Sequence, residues 1–201
     1  APRDHQWIIF NDNGYEDSWV EEAERRGLSN LACTADALQT YLQPKHIELF
    51  RRHNVFTEEE LAARNEIHLE NYCEVIGIEA RTMLDMVRRD IFPAVSAFSG
   101  EVARSVAAKR SVLADLDCGS EEDLLRRLSA LTGEMMAQTD GLERALAEHR
   151  SEDAYGAAHY YKYTVFAAME RLRAAVDQLE AITSARYWPY PSYTDLLFSI
   201  K

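Results

Sequence analysis

From residue 57 onward, apolar positions recur at spacings of three and four, the period of an α-helix. One very long pattern runs through Leu61, Ile67, Leu69, Tyr72, Val75, Ile78, Leu84, Val87, Ile91, Val95, Phe98, Val102, Val106 and Leu113. Thr57-Glu58-Glu59-Glu60 opens it as a capping box, in which the Thr oxygen accepts a backbone N–H and Glu60 reaches back. Gly77 is a point where the pattern can break. Pro93 is expected to kink it, because the ring removes one backbone bond and crowds the preceding turn.

A second helix is predicted from Ser120-Glu121-Glu122-Asp123, with Leu124, Leu128, Leu131, Met135, Gln138, Leu142 and Ala145 as a heptad seam holding one polar member. Its length corresponds to a rod of roughly 45 Å. A third, over residues 152–184, repeats the alternation at Val165, Met169, Leu172, Val176 and Leu179, and Ile182 continues the face. The short link near Arg150-Ser151 makes these two antiparallel neighbours. The predicted fold is all-α: an antiparallel bundle of three to four long helices.

Residues 1–56 read as a connecting region. Trp7-Ile8-Ile9-Phe10 reads as a short strand or an extended start and is followed by the turn cluster Asn11-Asp12-Asn13-Gly14. Short helices are predicted at residues 17–26, stopped by Gly27; from a Thr34 cap to Leu42; and after Pro44. Residues 57–186 form the bundle. Residues 187–201 form a tail, Tyr187-Trp188-Pro189-Tyr190-Pro191-Ser192-Tyr193-Thr194-Asp195-Leu196-Leu197-Phe198, which two prolines hold extended. Its aromatics are costly to leave in water, so Trp188, Tyr190, Tyr193 and Phe198 are the candidate docking or interface residues.

Composition narrows the function classes. The 201 residues carry a net charge of −12, and the local Arg pairs are mostly flanked by acids, so a nucleic-acid backbone is not the expected partner. No uncharged stretch approaches the ~20 apolar residues of a membrane span, and the opening residues do not read as a signal peptide. Three scattered cysteines (Cys33, Cys73, Cys118) make no disulfide framework, which points to the cytoplasm.

Catalytic, cofactor-binding and metal-ligating signatures are all missing. There is no Gly-rich phosphate loop and no Gly-x-Ser-x-Gly elbow. None of the six histidines completes the Glu-x-x-His pattern of a di-iron bundle, and His46 and His53 have no acidic partner at a useful spacing. The row Glu66, Glu70 and Glu74 reads as a solvated face. Met83, Met86, Met135 and Met136 read as core fillers. The tyrosine-rich segment Tyr155, Tyr160, Tyr161 and Tyr163, with His159 among them, exceeds background without defining a chemistry.

Several stretches together resemble the C-terminal region of the type III glutamine synthetases. They are His5-Gln6-Trp7-Ile8-Ile9-Phe10-Asn11 with Asn13-Gly14-Tyr15, and Trp19-Val20-Glu21-Glu22-Ala23-Glu24-Arg25-Arg26-Gly27-Leu28. Then follow Glu70-Asn71-Tyr72-Cys73, Ile78-Glu79-Ala80 with Thr82-Met83-Leu84-Asp85-Met86, Pro93-Ala94-Val95-Ser96-Ala97, and the ending from Trp188 to Phe198. The resemblance implies a parent enzyme that makes glutamine from glutamate, ammonia and ATP, with Mg or Mn held by carboxylates in a β-barrel, assembled as stacked rings. The family's catalytic motifs precede the matched region, so no catalytic, cofactor or metal residue carries over to this chain. A start at Ala1 without methionine fits a piece of such a parent. The expected partners are the parent's own catalytic domain and neighbouring subunits. An independent helical scaffold is the competing class, and an upstream reading frame encoding metal carboxylates discriminates the two.

Overall fold

The computed structural model describes residues 4–5, 8–148 and 153–198. It divides into two compact units, residues 1–61 and residues 62–201.

In the first unit, short helices α1 (Asp17–Arg25), α2 (Thr34–Leu38) and α3 (Pro44–Arg52) follow one another. Of the short strand or extended start expected in the apolar run, the strand does not form at Ile8, Ile9 and Phe10, and Trp7 lies outside the described residues. A single short run has no partner strand to share its hydrogen bonds. Phe10 instead sets its ring 4.6 Å from Trp19, and Arg26 lies 6.0 and 5.8 Å from the two ring centres. Gly27 ends α1 in the left-handed region at φ 76°, where the Leu28 N–H donates to Ala23 O at 2.9 Å and the Gly27 N–H to Glu24 O at 2.8 Å. That double bond is a Schellman stop. Asn54, at φ 51°, ends α3 the same way, with the Val55 N–H donating to Phe50 O at 3.0 Å. Thr34 is the first residue of α2 rather than its cap, which is Cys33, and that helix is shorter than expected.

Helix α4 occupies residues 58–112: α-helical at Glu58–Met86, π-helical at Val87–Ile91, and α-helical again at Phe92–Val112. Its predicted capping box is in place. Glu60 N–H donates to Thr57 Oγ1 at 3.2 Å, and Thr57 N–H donates to Glu60 Oε2 at 2.8 Å. Gly77 does not break the helix. It is buried, and a Cβ there would meet the Tyr161 ring and hydroxyl at 3.4 Å, an ordinary contact distance, so Tyr161 packs directly over this point of the helix. Pro93 is accommodated by the π turn just before it, where Phe92 N–H donates five residues back to Val87 O. The wider turn relieves the crowding that a proline ring brings to an α-helical turn.

Helix α5 (Gly119–Ala147) and helix α6 (residues 154–182, π-helical at Tyr161–Phe166) complete the bundle with α4. Cys118, not Ser120, caps α5 without a side-chain bond. Asp153 caps α6 by accepting the Gly156 N–H at 2.7 Å. One continuous core holds Leu84, Val87, Ile91 and Val95 of α4, Leu128, Met135 and Leu142 of α5, and Val165, Met169, Leu172 and Leu179 of α6. The polar member of the α5 seam is Thr139 rather than Gln138. Thr139 is fully buried and satisfied, its hydroxyl donating to Met135 O at 2.7 Å. Ala158, Ala168 and Ala175 are also buried on α6, which lets its backbone sit close to its neighbours. No disulfide links the three cysteines.

Ion pairs fix the antiparallel register of α4 and α5. Arg88 meets Glu143 at 2.6 Å, and near the connecting loop Lys109 pairs with Glu121 and Arg110 with Glu122. Arg88 beside Glu143 and Lys109 beside Glu121 hold both carboxyls below the usual carboxylate range. A depressed folded-state value stabilises the fold above the unfolded carboxylate pKa and ceases to do so as pH falls through the folded value. These pairs lie at the surface, so the effect is small. Glu143→Gln should lower the melting temperature slightly at pH 7, and the gap from the unaltered chain should close as the pH falls below about 4. Circular-dichroism melts across that range check it.

Leu128 and Leu172 are at most 1% exposed. Truncating either to Ala removes buried methyl groups and leaves a cavity, with an expected cost of about 2–5 kcal/mol. Denaturant unfolding read against exposed Glu134→Ala tests this, and a midpoint no lower than that of the surface variant contradicts the assigned helix faces.

Candidate docking site

The second unit carries a groove between α4 and α6, and the chain's own tail enters it. After α6 the chain turns through Ser184, with the Tyr187 and Trp188 N–H groups donating to Ser184 O at 2.8 and 3.1 Å. Tyr187 then sets its ring 5.6 Å from Phe98 of α4. Trp188 and Tyr190 are half-buried against the core and line a cavity of about 280 Å³ with Met83, Met86, Val87, Ile91, Leu172 and Val176. Arg173, Asp177 and Glu180 form its polar rim, with Arg173 and Asp177 3.5 Å apart.

Tyr190 spans 100 residues of sequence to donate its hydroxyl to Asp90 Oδ2 at 3.0 Å. Asp90 belongs to the π turn of α4. Burial first, and then the bond to the Asp90 carboxylate, push the Tyr190 phenol up to about 12. Both causes favour the neutral phenol, since ionisation would bring a second negative charge against Asp90.

The four aromatic candidates separate at this point. Trp188 and Tyr190 meet the groove, whereas Tyr193 and Phe198 are exposed. Nor is the tail extended throughout: residues Tyr193–Leu197 form a short helix, α7. The correction has a local cause. Ser192 accepts the Asp195 N–H at 3.2 Å, and Asp195 accepts the Ser192 N–H at 2.8 Å, a reciprocal cap that starts a helix two residues after Pro191. The signal stood in the sequence as Ser-x-x-Asp. Asp90 and Phe98 had no such signal, because their roles depend on where α4 lies beside the tail.

The other singled-out residues fall elsewhere. Met83 and Met86 are half-buried walls of the groove, and Met135 is in the core. Tyr160 donates to Ala145 O at 2.8 Å and so ties α6 to α5. Exposed His159 lies 4.4 Å from the Tyr163 ring and 6.2 Å from Tyr155. Glu66, Glu70 and Glu74 are exposed along α4. His46 in the first unit pairs its ring nitrogen with Thr40 O. Among the described residues no three His, Cys, Asp or Glu side chains stand close enough to hold a metal ion, and no helix is long and apolar enough to cross a membrane.

The geometry sets two outcomes. Trp188→Ala should cost about 1.5–2.5 kcal/mol, half the loss typical of a fully buried aromatic. The raised Tyr190 value means its stabilising contribution is complete below the usual tyrosine pKa near 10 and is lost as pH rises through about 12. Phenolate absorbance should therefore show a late-titrating tyrosine that Tyr190→Phe removes; an unchanged titration curve counts against the Asp90 bond.

A family model described as the glutamine synthetase C-terminal domain matches residues 2–110, which take in the first unit and nearly all of α4. Over 198 residues the chain is 37% identical to a glutamine synthetase of Butyrivibrio fibrisolvens, covering 98% of this chain and 28% of that protein. It is 30% identical over 199 residues to the type-3 glutamine synthetase of Dictyostelium discoideum and 28% identical over 200 residues to a glutamine synthetase of Bacteroides fragilis, in each case 96% of this chain and 27% of the relative. The chain thus spans little more than a quarter of these relatives, and the likeness includes the tail as well as the long helices. The chain belongs to the glutamine synthetase C-terminal domain family.

Proposed function

We propose that this chain is the non-catalytic C-terminal helical region of a type III glutamine synthetase and that it serves assembly or stability of the oligomer. The parent is then a cytoplasmic, ATP-dependent ligase that joins ammonia to glutamate, using Mg or Mn in a catalytic domain outside this chain. The partners of the chain are that catalytic domain and neighbouring subunits.

The observation that carries the reading is the first unit's shortage of core. Its only buried apolar residues among those described are Ala23, Ala35 and Leu61. Ile8, Leu28 and Val55 are more than half exposed, at 60%, 53% and 52%, and Ile9, Val20, Leu31, Leu42 and Leu49 are exposed as well. A unit of this size with so much apolar surface open is the form expected of a segment built to be covered by another protein surface. The relatives supply the context, since this chain corresponds to 27–28% of their length.

Two measurements test it. Titration calorimetry of this chain with MgATP should give no stoichiometric binding; a micromolar site overturns the non-catalytic assignment. In the full-length parent, Leu28→Asp with Val55→Asp should weaken ring assembly on native mass spectrometry and lower glutamine synthesis with it. Intact rings and undiminished synthesis contradict the assembly role.

A further inference from the structure

The groove holding Trp188 and Tyr190 does not end with them. A second cavity of about 500 Å³ lies between the same two helices, with Ile78, Met83, Phe166 and Met169 as its apolar wall and Glu79, Thr82, Glu170 and Arg173 as its polar edge. Met83 and Arg173 line both cavities, so the two adjoin. The tail lines the upper cavity through Trp188 and Tyr190 and, among its described residues, does not line the lower one. The next apolar residues of the tail, Leu196, Leu197 and Phe198, are 63%, 71% and 71% exposed. A cavity with an apolar wall and an exposed apolar segment are thus joined by a few residues of one chain.

The register of the docked part brings the two together. Tyr187 pairs with Phe98, and Tyr190, three residues on, bonds to Asp90. The tail therefore runs antiparallel to α4. Eight helical residues rise about 12 Å, a span that three extended residues and their side chains cover. Continued on the same course, two linking residues and the short helix α7 reach roughly 15–17 Å below Asp90. Along α4 the Ile78–Met83 wall of the lower cavity lies about 10–18 Å below Asp90.

We infer that the C-terminal segment is a strap that closes in cis: residues 193–198 fold down along α4, and Leu196, Leu197 and Phe198 fill the lower cavity over Met83 and Met169. The occupant is the chain's own tail because the lower cavity adjoins the one that Trp188 and Tyr190 line and the direction of travel is set. Pro189 and Pro191 reduce the freedom lost on closure, and the Tyr190–Asp90 bond is the hinge-side anchor. This inference does not depend on the assembly role, since both partners lie within the second unit.

Photocrosslinking of the full chain tests it. Phe198→p-benzoylphenylalanine, irradiated in dilute solution, should give a product of monomer mass with the link at Met83 or Met169, located by peptide mass spectrometry. Links only between chains, links elsewhere, or none would overturn closure in cis. In a second measurement, Leu196→Asp with Leu197→Asp should raise hydroxyl-radical oxidation of Met83 several-fold, while Met135 in the core stays protected. Met83 oxidation unchanged by the double variant also sinks the proposal.

Discussion

Order in the second unit depends on the buried seam that Leu128, Met135 and Leu142 of α5 share with Val165, Leu172 and Leu179 of α6. Every one of these side chains is removed from water, at roughly 25 cal/mol per Å² of apolar area. Once the hairpin is closed, it presents one more apolar surface than it can bury alone, and α4 covers that surface through Leu84, Val87, Ile91 and Val95. The ion pairs of α4 with α5 then act on register rather than strength. Arg88–Glu143 and Lys109–Glu121 lie at opposite ends of the shared length and are satisfied together only by one alignment of the antiparallel helices.

The first unit obeys the same physics with a different result. Its helices are stopped sharply at Gly27 and Asn54 by left-handed caps, and rings gather at Phe10–Trp19 and at Phe50–Phe56, the latter 5.6 Å apart. Local stops and ring pairs shape a chain without burying much of it. Helices of five to nine residues are too short to be stable by propensity alone, so their order rests on these caps and ring pairs.

What could be read in the sequence was what depends on near neighbours along the chain. The capping box at Thr57, the stop at Gly27 and the seams at Leu128 and Leu172 each rest on residues a few positions apart. Errors arose where the deciding contact is distant or where two local signals compete. Gln138 and Thr139 are adjacent, and a strict heptad selected the wrong one. The short threonine satisfies its hydroxyl on the preceding turn of its own helix, so it can enter the core at little cost. In the tail, the two prolines correctly forbade helix through Pro191, but the cap Ser192–Asp195 restarts one immediately afterwards. Of the candidate docking residues, Trp188 and Tyr190 owe their place to α4 residues a hundred positions away, which a sequence pattern cannot supply.

The tail's place follows from one backbone constraint. Val87, Ile91 and Val95 are all buried at spacings of four, yet four residues of an ideal α-helix overshoot a full turn by about 40°. Two such steps add up to about 80°, most of the width of an apolar helix face. The π turn at Val87–Ile91 absorbs that drift and accommodates the ring of Pro93 in the same stroke. It also sets the place of Asp90 on α4, where the carboxylate receives the Tyr190 hydroxyl. Pro93 and Tyr190 are thereby linked although they never touch: the proline favours the wide turn, the wide turn places the acid, and the acid holds the strap. A helix without the π turn would turn Asp90 relative to the groove, leaving Trp188 as the main anchor of the tail.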